Sequence, residues 1–192
     1  MAAITSRRGT VIQDPPVIQW LLTDRRAGWL WLIPRVWLGI QWLESGWGKL
    51  GNPGWVSTGQ NLKSFWANAV QIPQTGRPPI TYDWYRSFIQ ALLDAQAYTW
   101  FSKLVVAGEL LVGICLILGA FTGIAAFVGG FMNWNFMMAG SASVNPLFFV
   151  ISVGLILAWK VCGYIGLDYI LLPVVGTPWE RLQRQTDRQA LA

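Results

Sequence analysis

The chain has no histidine and few charges, and these two shortages bound it more tightly than anything it contains. Without an imidazole there is no Ser–His triad and no His-ligated haem or zinc. The two cysteines, Cys115 and Cys162, lie in apolar runs with no CxxC spacing, so they are read as buried packing thiols rather than a redox pair. No metal site and no covalently bound cofactor is expected. Only 12% of the residues are charged, roughly half the share of a soluble domain, whereas 54% are hydrophobic and the mean hydropathy is +0.41. The class this defines is a polytopic membrane protein. There is no strand pattern, no low-complexity tract and no cleavable signal peptide, so insertion relies on the first spanning helix.

A net charge of +5 would suggest nucleic acid in a soluble protein. Here the arginines gather at the two ends, as the positive-inside rule requires, and nucleic-acid binding is set aside. Residues 29–50 form the organising stretch, WLWLIPRVWLGIQWLESGWGKL. As a helix it reaches about 33 Å at roughly 1.5 Å per residue, enough to cross a hydrocarbon core. The expected fold class is all-α, an integral membrane four-helix bundle occupying 29–176, with spans at 29–50, 99–120, 121–140 and 144–166. Pro34 falls near the start of the first span, where a missing amide is least damaging.

Residues 1–28 are read as a cytoplasmic tail plus an interfacial piece, 17–22, ahead of Asp24-Arg25-Arg26. The 52–98 segment is too long for a structureless loop. Leu62, Phe65, Trp66 and Ala69 recur at helical spacing, and so do Tyr85, Phe88, Ile89 and Leu92 behind an N-cap at Asp83. Two amphipathic helices over the outer membrane face are expected. After the fourth span, 168–175 is apolar but interrupted by Pro173, an interfacial finish before a cytoplasmic tail at 177–192. Arg7, Arg8, Arg25 and Arg26 precede the first span and Arg181, Arg184 and Arg188 follow the last, which puts both termini in the cytoplasm and the protein in the inner (plasma) membrane as a multi-pass chain.

Charges inside such helices are costly and normally face protein, trapped water or each other. Counting helical rise sets Glu44 and Glu109 at similar depth in the outer half, with Lys49, Lys103, Asn133 and Asn135 within a few turns. Arg35, Gly39, Trp42, Gly46 and Lys49 share one face, while Glu44 lies about half a turn away from Arg35. Glu109, Gly113 and Leu116 share a face of the second span, and Gly123, Ala126, Gly130 and Asn133 a face of the third.

The functional reading is a polar pocket with Glu44 and Glu109 as the catalytic proton acceptors. Lys49 and Lys103 would meet an anion or a quinone oxygen, and Arg35, Asn133, Asn135, Trp47 and Trp84 would complete the surface for substrate or quinone. The competing reading makes these groups helix–helix pairs, with Lys49, Lys103 and Lys160 as snorkelling anchors and Arg35 in a structural pairing. Most of the 13 tryptophans form an interfacial belt. Trp55, Trp66 and Trp84 stand apart as an external aromatic lid for a flat ring.

Several short motifs recur in order: Arg35-x3-Gly39, Gly46-x2-Lys49-Leu50, Gly108-Glu109-Leu110-x2-Gly113, Leu118-Gly119, Asn145-Pro146 and Gly163-x2-Gly166-Leu167-Asp168. From about Trp29 to Leu172 this series resembles the DoxX/DoxD family of four-helix membrane proteins, and the tryptophan-rich external segment is similar to the DoxD branch. The resemblance implies sulfur redox chemistry: a membrane subunit like that of thiosulfate:quinone oxidoreductase, passing electrons to the quinone pool with a small DoxA partner. Its polar positions here are Arg35, Lys49, Glu109 and Asp168. Quinone would then be a substrate, and membrane lipid and a DoxA-like or larger redox complex would be partners. Other DoxX-like members are membrane partners of redox enzymes, so the alternative is a non-catalytic subunit of a larger respiratory or photosynthetic complex. A small-solute transporter is a third reading, without discontinuous helices or inverted repeats to favour it.

Overall fold

Apolar residues at a 3.6-residue period, broken by glycine and proline, leave this chain little alternative to helix. The computed structural model describes residues 4–5, 11–12 and 14–175. The tail at 177–192 and the arginines Arg7, Arg8, Arg181, Arg184 and Arg188 lie outside the described residues. The architecture is all-α apart from one antiparallel pairing of two-residue strands, β1 (Ile4–Thr5) and β2 (Val11–Ile12). Helix α1 (Pro16–Thr23) leads through a 3-10 turn into α2 (Gly28–Leu50). Three helices follow, α3 (Pro53–Val56), α4 (Gln60–Ala69) and α5 (Asp83–Asp94). The remainder comprises α6 (Tyr98–Leu118), α7 (Thr122–Met138), α8 (Asn145–Leu157), α9 (Trp159–Cys162) and α10 (Asp168–Val175). By length and composition α6 is the one described helix long and apolar enough to cross a membrane; α8 is apolar but shorter.

The long helices pack where the sequence supplies small residues. A Cβ on Gly113 of α6 would stand 2.7 Å from the Leu43 amide nitrogen and 2.9 Å from the Gly39 carbonyl, so backbone meets backbone across the α2–α6 seam. Gly46 faces Leu110 and Gly39 faces Ile117, so the two helices run antiparallel. Gly130 of α7 likewise admits Ser152 of α8. Between the four helices Leu38, Trp42, Val112, Leu116, Ala126 and Leu155 form one continuous apolar core.

A second core lies under the segment between α2 and α6. Leu62, Trp66 and Ala69 of α4 close on Tyr85 and Ile89 of α5, with the loop residue Ile80 sealed between them. This cap is anchored to α7 by the Tyr85 hydroxyl, which donates to the Asn135 backbone and side-chain oxygens at 3.1 Å each.

Several local expectations change. The external segment holds a third, short helix, α3, whose N-cap Asn52 accepts from the Gly54 amide at 2.9 Å. Asp83 does not cap α5: Tyr82 is the N-cap, and the Asp83 carboxylate instead pairs with Arg86. Pro34 lies inside α2 near its start, as expected, and leaves the Leu30 carbonyl without a helix amide. The single helix expected over 144–166 is interrupted at Ala158 and ends at Cys162, whose carbonyl, like that of Ile165, accepts from Arg35.

Candidate functional site

Two polar centres occupy opposite ends of the bundle. The first is built on α2, α6 and α7. Lys49 stands one heptad beyond Trp42 on the buried face of α2, and its Nζ contacts Glu109 Oε1 at 2.8 Å and Oε2 at 2.7 Å. Glu109 is 1% exposed and Lys49 21%, so the ammonium is the wetter end of the pair. Lys49 also donates to Ser45 Oγ at 2.7 Å and lies 5.3 Å from the centre of the Trp55 ring.

This pair floors a cavity of about 270 Å³. Its walls include Trp42, Trp55, Phe65, Phe136 and Phe148, and its other polar groups come from Ser45, Asn133, Ser141 and Asn145. Asn133 is fully buried, and neither its Nδ2 nor its Oδ1 has a hydrogen-bond partner among the described residues. Trp42 Nε1 is similarly buried and unpartnered. Buried polar atoms are nearly always satisfied, and three unpaired ones at or beside one cavity mark it as a candidate binding site. Together they offer an apolar slot for a ring, two N–H donors, one amide acceptor and a carboxylate–ammonium pair.

The second centre joins α2 to the C-terminal end. The Arg35 guanidinium is 1% exposed and donates to the Cys162 carbonyl and, at 2.7 Å, to the Ile165 carbonyl. The buried Asp168 carboxylate accepts from the Phe121 and Thr122 amides at 2.6 and 2.8 Å, capping α7. The Leu167 and Asp168 amides donate to Leu118 and Gly119 at 3.1 and 2.8 Å. Gly119 has φ +66, and a Cβ there would fall 2.5 Å from Arg35 Nη1. Arg35 thus ties α2 to the segment after α9, and Asp168 ties the start of α10 to the α6–α7 turn.

The expected site residues therefore divide. Lys49, Glu109 and Asn133 come together. Arg35 does not join them; it serves the clasp at the other end. Glu44 is exposed and receives one long contact, 3.5 Å from Gln41 Nε2, so the expected convergence of Glu44 with Glu109 is corrected. The physical reason is azimuth: five residues from Lys49 turn the helix about 140° away, whatever the depth. Lys103 is exposed for the same reason, about 120° around α6 from Glu109. Trp47 and Trp84 are 70% and 60% exposed and line no part of the cavity. Asn135 belongs to the Tyr85 anchor rather than to the pocket. Of the three external tryptophans set apart above, Trp55 walls the cavity, Trp66 is core, and Trp84 faces outward.

Trp42, Ser45, Ser141 and Asn145 were not among the expected site residues. Trp42 shares the Arg35–Lys49 stripe and Asn145 belongs to the Asn145-Pro146 motif, so both had a visible signal. Ser45 and Ser141 had none.

The described residues thus define a helical bundle with small-residue seams, an ion pair inside it, an amphipathic helical cap and one helix, α6, long and apolar enough to cross a membrane. The chain belongs to the DoxX family: the family model matches residues 30–140, from α2 through the end of α7. No curated protein and no solved structure matches the chain. The matched region carries Arg35, Lys49, Glu109 and Asn133, while Asn145 and Asp168 lie beyond it.

Proposed function

We propose that this DoxX-family protein is the membrane subunit of a quinone-linked oxidoreductase and that the Lys49–Glu109 cavity receives the quinone ring. The observation that carries the reading is Asn133: a fully buried amide with both polar atoms free, beside an ion pair in an aromatic-walled slot. About 270 Å³ suits a substituted ring with its tail outside. Donors from Asn133, Trp42 and Lys49 suit ring oxygens, whose affinity for protons rises on reduction. When Lys49 turns toward a ligand oxygen its ammonium can donate there, and the Glu109 carboxylate, no longer paired, can take up a proton from water and pass it on.

The chain would cross the membrane four times, through α2, α6, α7 and the α8–α9 unit, with both ends cytoplasmic and α3–α5 outside. Supporting this, Leu111, Phe127 and Val150, one on each of α6, α7 and α8, are all more than 60% exposed, so these helices turn apolar faces outward. The electron donor would be thiosulfate, delivered with a DoxA-like partner, by similarity to DoxD. The test is thiosulfate-dependent quinone reduction by purified protein with and without that partner. Turnover lost in Asn133→Leu is the expected result; no turnover by folded protein in any pairing rejects the reading.

One observation favours the second reading, a non-catalytic subunit of a larger redox complex. Both Glu109 oxygens are already engaged by Lys49, which is also how a purely structural pair would look. Full activity of the parent complex in Glu109→Gln would decide for it.

A further inference from the structure

Glu44 has no role in either polar centre, yet its position is unusual. Trp37, Ile40, Glu44 and Trp47 follow one another at 3-4-3 spacing along α2, and all four are exposed. That is the repeat of a helix seamed against another helix. The α2–α6 contacts fix the depth: Leu43 lies against Gly113 and Gly46 against Leu110, so Glu44 stands abreast of Val112 and Gly113. This is about 7 Å past Gly108, the midpoint of α6, at roughly 1.5 Å per residue. Trp47, 70% exposed, is level with Glu109 and one turn from the end of α2 at Leu50. Ionisable side chains at such depth face protein and find a partner. Among the described residues Glu44 has only the long Gln41 contact.

We infer that this stripe is the docking face for a transmembrane helix of another protein, one that sets a lysine or arginine opposite Glu44. The inference rests on the membrane reading above. Charge complementarity selects the occupant. Lipid tails offer no donor, and a second copy in the same orientation presents no exposed Lys or Arg at that level among the described residues of the long helices: Lys103 on α6 stands about 13 Å further along, at roughly 1.5 Å per residue. A basic side chain both satisfies the carboxylate and leaves Ile40 and Trp47 to pack around it, with the side of Trp37 that is not packed against Phe148.

The test is site-specific photocrosslinking in native membranes, with a benzophenone amino acid at position 40 or 47 and, as control, at Phe127 on the opposite side of the bundle. The expected result is adducts from 40 and 47, and not from 127, to one transmembrane segment of a different protein with a basic residue within a helical turn of the attachment point. Glu44→Lys should cut the yield about tenfold, near the upper end for polar contacts between membrane helices. Exchange of the partner's basic residue for Glu should restore it. Glu44→Gln, which inserts without a charge penalty, should show a smaller loss. Lipid adducts alone, adducts to a second copy alone, or a partner segment without a basic residue overturn the inference and leave the membrane reading standing. Recovery of the protein in the soluble fraction overturns both.

Discussion

Lys49 and Glu109 are 60 positions apart in the chain, and the single ammonium of one reaches both oxygens of the other. The pair ties the end of α2 to the middle of α6 and floors the cavity. Lys49→Met would strand a carboxylate that is 1% exposed, which costs about 3–5 kcal/mol. The double change Lys49→Met with Glu109→Leu should return most of that, since an apolar pair of similar volume needs no compensation. Denaturation of the three proteins in mild detergent checks it: a single mutant as stable as the parent would show that the pair is not closed.

Asn133 behaves in the opposite way. Its amide has no partner to lose, so Asn133→Leu should leave stability unchanged or raise it by about 1 kcal/mol. The same change should abolish binding of a short-chain quinone analogue, followed by calorimetric titration. Loss of stability together with retained binding would place the amide in the scaffold instead.

The α2–α6 seam depends on hydrogen in place of a methyl group. Gly113→Ala sets a Cβ within 2.7 Å of the Leu43 backbone and should destabilise by roughly 1–3 kcal/mol. Gly48, on the same α2 helix, has nothing within 4 Å of its added Cβ. Gly48→Ala should therefore be neutral or stabilising by up to about 1 kcal/mol through helix propensity. The melting temperature should fall in the first variant and hold or rise in the second.

Asp168 supplies both acceptors for the first amides of α7. Asp168→Ala leaves Phe121 and Thr122 without that cap and should cost about 2 kcal/mol. Hydrogen exchange should rise at the α6–α7 turn while the amides of α4 and α5 keep their protection. Uniform exchange throughout would mean that the clasp is not local.

Tyr85, in the external cap, has its phenol pushed up to about 12 by burial. A group whose folded value is raised above its unfolded value near 10 contributes stability that is complete below that pH. The contribution fades as pH climbs through the folded value, so the cap should loosen between about pH 10 and 12. Tyr85→Phe should remove the component of the 295 nm phenolate absorbance that titrates near pH 12, and with it this part of the alkaline loosening. An unchanged titration would contradict the buried position.

Composition and spacing alone settled the helical class, because a chain with this much apolar residue and this little charge has few other ways to satisfy its backbone. They also placed Gly113 and Gly130 on contact faces and marked Glu109, Lys49 and Asn133, since small and polar residues at helical intervals can be counted along one helix. Counting fails between helices. Rise along the axis put Glu44 and Lys103 near the same level as Glu109, but only packing fixes which way each helix is turned, and that rotation carried both to the outside. The tertiary structure likewise decided that Arg35 donates to two carbonyls more than 120 positions away, because a guanidinium donates to whatever oxygens the folded backbone brings to it, and no local pattern announces them.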